Sequence, residues 1–260
     1  MKNVKQLFDL TGKTSLITGG SSGIGFAMAK GLAEAGSDVI ICSRGRHGSI
    51  DEAVNKLQEE GVTARGYTCD VRDPASIDSL CSRVKDEFDR CDILVNNAGV
   101  TWGVPTEEMP LDKWNLVIET NLTGPFYLTQ QIAKNFMVPQ KKGSVIMIAS
   151  AAAFIGGEIG IIGYTASKAG LLGMVRQLAV EWADHGIRTN AIAPSWFPSY
   201  MTRNFTSDDS PFRDELIAQV PTGRIGSPWE LKGVIVFLAS EASSYITGAC
   251  IPVDGGFLAK

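Results

Sequence analysis

The sequence is poor in histidine and has no excess of basic residues. His47 and His185 are the two histidines among 260 residues. Two imidazoles are too few for a His-rich metal site or an H-E-x-x-H metalloprotease motif, so we expect no metal. The 24 Lys and Arg residues stand against 28 Asp and Glu, a formal net charge of −4. A nucleic-acid partner would favour a basic face, and none is therefore expected.

Long apolar segments and cysteine pairs are also lacking. The longest nearly apolar run, residues 145–157, is too short to span a bilayer. The first six residues lack the apolar core of a signal peptide. The five cysteines are odd in number and form no C-x-x-C motif, which is typical of small buried side chains in a reducing compartment. We therefore expect a cytoplasmic protein without a membrane partner.

Strand-like and helix-like stretches alternate along the chain. The expected strands are residues 13–18, 38–43, 63–69, 92–96, 143–150, 187–193 and 249–253. The expected helices are residues 23–36, 50–61, 74–90, 111–138, 163–185 and 228–240. Strands such as Val39-Ile40-Ile41-Cys42 are apolar throughout, which is typical of strands covered on both faces. We predict an α/β fold: a single Rossmann-type doubly wound parallel sheet of about seven strands, with helices on both faces.

No linker or repeat divides the sequence, so residues 1–260 are predicted to form a single domain. The polar stretch 203–211, rich in Ser, Asp and Pro, interrupts the regular pattern. Loops of this kind often carry function. We predict a mobile substrate loop near residues 196–220.

A glycine-rich segment, Thr18-Gly19-Gly20-Ser21-Ser22-Gly23-Ile24-Gly25, follows the first strand. Its glycines allow a tight turn and the close approach of a ligand. The N-terminus of the following helix then offers free N–H groups to a pyrophosphate. This position in a β-α-β series favours a dinucleotide site over a purely structural turn.

The same segment contains the G-x-S-x-G pattern of hydrolase nucleophile elbows, centred on Ser21. Such elbows lie in mid-chain and are followed by an acid and a histidine. Here His47 lies in a polar loop after the second strand, and His185 lies at a helix end. A hydrolase that uses Ser21 is therefore disfavoured.

The end of the second strand bears on the choice of coenzyme. In NAD-binding proteins an acidic residue at this position binds the ribose 2′-hydroxyl. This sequence instead has Ser43-Arg44, with Arg46 nearby. An arginine can instead bind a phosphate through two N–H groups. We predict NADP, with NAD as the alternative. The simpler interpretation is a loop arginine that binds nothing.

Tyr164 and Lys168 are four residues apart and therefore lie on one face of a helix. An ammonium beside a phenol favours the phenolate and lowers its pKa from near 10. Tyr164 would then be a general acid/base for alcohol–carbonyl interconversion. Ser150 ends strand five at the ligand-binding edge, where its hydroxyl either holds a substrate oxygen or simply caps the strand end. Asn121 is unfavourable inside a helix and is either tolerated or placed to bind a water.

Together these segments resemble the short-chain dehydrogenase/reductase family over essentially the whole chain. The family order is T-G-x-x-x-G-x-G, then Asn96-Asn97-Ala98-Gly99, then Ser150 and Tyr164-x-x-x-Lys168. The resemblance implies that Tyr164 transfers the proton and Ser150 steadies the carbonyl. It also implies that Lys168 binds the nicotinamide ribose and lowers the pKa of Tyr164, and that Asn121 completes the catalytic set by holding a water of the proton relay.

The resemblance further implies a homotetramer and a set of coenzyme contacts. Asp70 and Val71 should flank the adenine, residues 97–99 the adenosine ribose, and residues 194–197 the nicotinamide. The expected coenzyme-binding residues are Gly19, Ser21, Ser22, Gly23, Ile24, Gly25, Ser43, Arg44, Asp70, Val71, Asn97, Ala98, Gly99, Tyr164, Lys168, Pro194 and Phe197.

Three features depart from the family pattern. Ser195 stands where the family usually has Gly, which puts a Cβ near the nicotinamide pocket. The interval between Ser150 and Tyr164 is slightly longer than usual, so the loop 151–163 is expected to differ in shape. Ser22 stands where many NADP-using members have a basic residue, which leaves Arg44 as the main 2′-phosphate candidate.

The resemblance implies an oxidoreductase that acts on a ketone or secondary alcohol. Residues 7–13, 97–103 and 197–202 are similar to gluconate 5-dehydrogenase-type and 3-oxoacyl-carrier-protein reductase-type members, so both substrate classes stay open. A non-catalytic nucleotide-binding regulator is the alternative outside catalysis. The expected substrate walls are Trp102, residues 154–162, Trp196 and residues 200–212. Four isoleucines would make this lining apolar and favour a hydrophobic ketone: Ile155, Ile159, Ile161 and Ile162.

Overall fold

The computed structural model describes residues 3–157 and 160–260. Within those residues, seven parallel strands form one sheet in the order β3-β2-β1-β4-β5-β6-β7. The strands are β1 (Thr14–Thr18), β2 (Asp38–Ser43), β3 (Ala64–Thr68), β4 (Ile93–Asn96), β5 (Gly143–Ile148), β6 (Ile187–Pro194) and β7 (Cys250–Val253). The predicted doubly wound α/β fold is confirmed.

The central strands are buried along their whole length. Every residue of β1, β4 and β5 is buried, whereas the edge strand β3 alternates between buried and exposed positions. Neighbouring residues Ile93 and Leu94 of β4 belong to two different hydrophobic clusters, because successive strand side chains point to opposite faces. The sheet therefore has a core on each face, as the unbroken apolar strand sequences predicted.

Helices cover both cores and agree with the predicted stretches to within a few residues. They are α1 (Val4–Leu7), α2 (Gly23–Glu34), α3 (Ile50–Gln58), α4 (Pro74–Phe88), α5 (Leu111–Ile118), α6 (Gly124–Ile132), α7 (Val138–Gln140), α8 (Ile162–Glu181), α9 (Arg203–Thr206), α10 (Arg213–Ala218) and α11 (Leu231–Ala239). The short helices α1, α9 and α10 were not predicted. Two of them lie within 196–220, where mobility stays a prediction.

The long helix expected over 111–138 is present but not uniform. Two π-helical turns, Glu119–Thr123 and Ala133–Met137, join α5, α6 and α7 into one continuous helical segment. Turns of this kind occur frequently at functional sites, because the extra residue changes where side chains point. The first π turn contains Asn121, which is fully buried.

The strand order reverses between β1 and β4, since the chain continues from β1 to β2 on one side and from β4 to β5 on the other. A crevice opens at the carboxyl ends of the strands at such a point. Asn97 and Thr18 join the two sides: the backbone N–H of Asn97 donates to Thr18 Oγ1 at 3.0 Å, and Asn97 Nδ2 donates to the Thr18 carbonyl at 2.9 Å. The glycine turn after β1 and residues 97–99 therefore form one rim.

Gly25 is expected to tolerate no side chain. A Cβ at this position would overlap the Gly19 carbonyl oxygen and Asn97 Nδ2. We expect Gly25→Ala to lower the free energy of unfolding by about 1–3 kcal/mol, as overpacking does, in urea denaturation. Gly173→Ala in α8 is the matched control, since its Cβ would meet nothing within 4 Å and should stabilise by about 0.5–1 kcal/mol. Equal stability of the Gly25 variant and wild type would contradict this packing.

Candidate active site

A cavity of about 500 Å³ opens at the carboxyl edge of the sheet. The turns after β1, β2, β3, β4, β5 and β6 contribute to its wall, together with Tyr164 and Lys168 of α8. The structure places all of the predicted coenzyme-binding residues on this wall, and Ser150 with them. Of the four predicted catalytic residues, Asn121 alone is not on it.

The glycine turn is shaped to receive an anion. Gly19 and Gly23 have φ values of +65° and +56°, a region that glycine enters without steric cost. Ser22 precedes α2 but makes no side-chain hydrogen bond to the helix. The N–H groups of the first turn of α2 are therefore available, and the helix dipole favours negative charge at this point.

The charged side chains on the wall also favour an anionic ligand. Among the described residues that line the cavity, Asp70 is the carboxylate, and Arg72 holds it with two hydrogen bonds of 3.1 and 2.6 Å. Arg72 keeps the pKa of Asp70 below its usual range. The cations on the wall are Arg44, Arg46, Lys168 and Arg203. Burial lowers the pKa of Arg44, but an arginine stays charged at neutral pH.

Lys168 is buried at the inner end of the cavity. Its Nζ donates to the carbonyl oxygen of Ile148, the last residue of β5, at 2.6 Å. The side chain is 4% exposed, and burial lowers its pKa to about 8. Nζ lies 5.6 Å from the centroid of the Tyr164 ring. The predicted Tyr–Lys pair is therefore assembled on one face of α8 and directed into the cavity.

The predicted direction of the Tyr164 pKa shift is wrong for this structure. Burial raises the pKa of the phenol, and the nearby Ser150 side chain opposes that shift only in part. Burial dominates because it disfavours the charged phenolate. Tyr164 therefore carries its proton at neutral pH, next to the Ser150 hydroxyl.

Asn121 acts on the loop after β4 through three hydrogen bonds. Its Oδ1 accepts from the N–H of Val100 at 2.8 Å, and its Nδ2 donates to the Val100 carbonyl at 2.8 Å and to Ser167 Oγ at 3.1 Å. Both amide protons are thereby used, and one acceptor position on Oδ1 remains. The predicted water-binding role stays a prediction, and the observed role is to fix the backbone next to Gly99.

The predicted substrate walls are only partly on the cavity. Residues 200–204 line it, whereas Trp102, Phe154 and Trp196 do not. Trp102 and Phe154 are instead exposed, and Trp196 packs against Phe205 with ring centroids 5.9 Å apart. Ile159 lies outside the described residues. The predicted apolar substrate lining from this region therefore stays a prediction.

Ser195 lines the cavity as its position predicted, but its hydroxyl is used elsewhere. Ser195 Oγ donates to the Asp254 carbonyl at 3.1 Å, and its N–H donates to the Val253 carbonyl at 3.3 Å. These bonds tie the turn after β6 to the end of β7. The serine thus anchors the turn that carries Pro194 and Phe197.

Sequence reasoning missed His47 as a cavity residue, and it treated Tyr200 and Arg203 only as part of a substrate loop. All three line the cavity, and the ring of His47 stacks on that of Tyr200 at 3.6 Å between centroids. Their positions are far apart in sequence and follow no spacing rule. A polar loop directly after β2 was the available signal, since loops at this edge carry function.

The structure also bears on the hydrolase alternative. Ser21 Oγ donates to Ser43 Oγ at 3.0 Å, and among the described residues no histidine pairs with Ser21. The ring of His47 is engaged by Tyr200. A Ser–His–acid arrangement is therefore not assembled around Ser21.

None of the helices in residues 3–157 and 160–260 has the length and apolar character that crossing a membrane requires. No group of three or more His, Cys, Asp or Glu side chains in that part of the chain is arranged to hold a metal ion.

Comparisons with known proteins agree with this site. A family model described as enoyl-(acyl carrier protein) reductase matches residues 19–258. A 2-dehydro-3-deoxy-D-gluconate 5-dehydrogenase of Pseudoalteromonas atlantica is 40% identical over 253 residues, covering 97% of this chain and 98% of the relative. A 3-oxoacyl-[acyl-carrier-protein] reductase of Salmonella typhimurium is 40% identical over 245 residues, covering 94% and 97%.

Among solved structures, a gluconate 5-dehydrogenase of Burkholderia cenocepacia in complex with NADP and tartrate is similar with a TM-score of 0.92. It is 32% identical, and the match covers 99% of this chain and 100% of that one. The chain belongs to the short-chain dehydrogenase/reductase family. It is an oxidoreductase, and the relatives give no support to a non-catalytic regulator.

The buried Lys168 is expected to cost stability. A pKa of about 8 in the folded chain, against about 10.4 unfolded, means that the unfolded state binds more protons between about pH 8 and 10.5. Wild-type stability therefore gains with rising pH across that window. We expect Lys168→Met to be more stable than wild type at pH 7, by about 1–2 kcal/mol after loss of the hydrogen bond to Ile148.

Thermal unfolding from pH 7 to pH 10 measures this effect. The advantage of Lys168→Met over wild type should shrink as pH rises. The matched control is Lys134→Met on the exposed side of the long helical segment, whose difference from wild type should not change with pH. A Lys168 variant that is less stable at pH 7, with a pH-independent difference, would contradict the buried charge.

Proposed function

We propose that the protein interconverts a ketone and a secondary alcohol with NADP, using Tyr164 as general acid/base. The observation that carries this proposal is the convergence of Ser150, Tyr164 and Lys168 at the inner end of a cation-lined cavity. The coenzyme, when bound, supplies the hydride, and the protein supplies placement and charge. NAD is the alternative coenzyme.

The residues of the wall fit a dinucleotide. The uncapped start of α2 suits the pyrophosphate. Asp70 and Val71 line the cavity, and we propose that they flank the adenine. Arg44 would bind the 2′-phosphate and the turn at 194–197 the nicotinamide. The similar Burkholderia cenocepacia enzyme contains NADP, which supports this assignment.

The state of Tyr164 suits it to donate a proton to a carbonyl oxygen. Its raised pKa keeps the phenol protonated at neutral pH, and Ser150, which lines the same cavity, is proposed to hold that oxygen. In alcohol oxidation the phenolate must form instead, and the nearby Lys168 ammonium would stabilise it. Asn121 is proposed to support both directions by fixing the backbone around Val100.

The substrate class is proposed from the surface beyond the cavity. Large apolar side chains are exposed near Ser150 and Tyr164 in the sequence or on the loop after β4: Trp102, Phe154, Ile155 and, at the start of α8, Ile162. They favour a hydrophobic ketone over a sugar acid. A panel of aliphatic ketones, sugar acids and 3-oxoacyl thioesters, assayed with both coenzymes, tests this proposal. Higher kcat/KM for sugar acids than for all other classes would contradict it.

We further propose a cytoplasmic homotetramer, as the family resemblance implies. Exposed apolar residues on the long helical segment and on α8 support a protein–protein contact; they include Leu111, Phe126 and Val180. Burying such side chains against a second copy would favour association.

Tyr164→Phe removes the proposed proton donor while keeping the ring. We expect turnover to fall by at least about 100-fold, the usual contribution of a general acid, while the affinity for NADPH changes little. Steady-state kinetics and fluorescence titration measure the two effects. Tyr127→Phe, whose hydroxyl bonds Asp78 outside the cavity, should keep wild-type turnover. Comparable turnover in the two variants would reject Tyr164 as the acid.

Arg44→Ala tests the coenzyme assignment. A charge-assisted hydrogen bond is worth about 1.5–3 kcal/mol, so we expect the KM for NADPH to rise about 10- to 100-fold. The KM for NADH, which has no 2′-phosphate, should change little. Arg176→Ala, at an exposed position of α8 away from the cavity, is the control. An equal rise for both coenzymes would remove Arg44 from the phosphate site.

A further inference from the structure

Three side chains from two separate loops form a stack at the mouth of the cavity. The ring of His47 lies parallel to that of Tyr200, with 3.6 Å between centroids and 20° between planes. The guanidinium carbon of Arg203 lies 4.1 Å from the same Tyr200 centroid. Two groups at these distances would overlap if they shared one ring face. Tyr200 is therefore held between His47 on one face and Arg203 on the other.

Both loops rest on the glycine turn that precedes α2. A Cβ added to Gly48 would lie 3.0 Å from the carbonyl oxygen of Ser21. A Cβ added to Gly23 would lie 3.5 Å from Ser199 Cβ. His47 and Tyr200 are the chain neighbours of Gly48 and Ser199. The stack consequently lies beside the N-terminus of α2, the end of the cavity that suits a pyrophosphate.

The segment that presents Tyr200 is internally bonded. Thr202 Oγ1 donates to the Phe197 carbonyl at 2.6 Å, and the N–H of Thr202 donates to Ser199 Oγ at 3.2 Å. Tyr200 itself remains 52% exposed. The backbone around Tyr200 is therefore fixed, while its ring remains accessible to solvent. This arrangement allows the contact between Tyr200 and His47 to form and break without a change in the backbone.

The charges of the stack suit a phosphate ligand. Among the described residues, neither Arg203 nor Arg46 has a carboxylate partner within 4.0 Å, and both line the cavity. An arginine that stacks on an aromatic ring keeps N–H groups at its edge for an anion. Arg203 can therefore hold Tyr200 and approach a pyrophosphate at the same time.

We propose that His47, Tyr200 and Arg203 form a clasp that closes across the pyrophosphate of the dinucleotide and slows its release. The inference rests on the proposed coenzyme site. The three residues contact the bound coenzyme in this proposal, and they take no part in proton transfer. A stacked aromatic pair contributes a factor of a few to about ten to an equilibrium, so the clasp opens readily enough to let the coenzyme exchange.

The dissociation rate of NADPH from the full-length protein tests the clasp. NADPH fluorescence is followed in a stopped-flow instrument after mixing the complex with excess NADP. We expect Tyr200→Ala to raise the dissociation rate about 5- to 10-fold and His47→Ala about 3-fold. Tyr200→Phe should stay within twofold of wild type, because it keeps the ring and loses only the long 3.4 Å contact from Arg203 to the hydroxyl.

The double variant and a matched control distinguish an effect of the clasp on NADPH dissociation from a loss of folded structure. His47→Ala should add little to Tyr200→Ala, because the stack is already broken. Tyr245→Ala removes a fully exposed tyrosine outside the cavity and should leave the rate unchanged. Thermal melting of each variant should match wild type, since the stack lies at the surface. If Tyr200→Ala does not fold, the comparison of His47→Ala with wild type decides the question.

Two results would overturn the clasp: dissociation rates within twofold of wild type for both alanine variants, or independent effects that multiply in the double variant. Failure of the proposed function gives a different result. In that case wild-type protein itself would not bind NADPH, or would bind it and reduce no carbonyl substrate. Binding with unaltered release in the variants would remove the clasp and leave the oxidoreductase proposal intact.

Discussion

The hydrogen bond from the buried Lys168 ammonium to the Ile148 carbonyl is the interaction on which the site depends. It joins α8 to the carboxyl end of β5, so the helix that carries Tyr164 has a fixed position relative to the strand that leads to Ser150. A buried ammonium is unfavourable in a core, and burial lowers the pKa of Lys168 for that reason. A buried charge that destabilises the fold while pointing into a cavity is typical of a functional position. Strand β5, which accepts this hydrogen bond, is buried along its whole length.

The fold could be predicted from the sequence because the apolar strands, the alternation of strands and helices, and the order of the motifs all indicate the same parallel sheet. The central residues of β2 and β4 are apolar, which requires cover on both faces. A parallel sheet with a reversal in strand order places the carboxyl ends of all strands at one edge. Residues that follow separate strands, such as Gly19, Asn97 and Ser150, then meet without any knowledge of tertiary contacts. The order of these motifs along the chain was sufficient to assemble the wall of the cavity.

Burial and loop contacts were the parts that sequence spacing did not predict. The i, i+4 spacing correctly put Tyr164 beside Lys168, but the direction of a pKa shift depends on how far both groups are removed from water, and burial decided it. Asn121 was correctly singled out as unfavourable in a regular helix, yet the π turn and its bonds to Val100 depend on the packed loop. His47 and Tyr200 meet only because their loops rest on the same glycine turn.

The two ends of the cavity are mechanically connected through one short segment. A Cβ on Gly99 would lie 3.4 Å from Asn121 Oδ1 and 3.7 Å from Lys168 Nζ, and Asn97, two residues earlier, is bonded to Thr18 beside the glycine turn. A displacement of the turn after β4 would therefore disturb the pyrophosphate end and the Tyr164 end together. Asn121 is off the cavity wall, but it holds Val100 from both sides and so fixes the segment next to Gly99. This is how we propose that Asn121 supports the alignment of coenzyme and substrate.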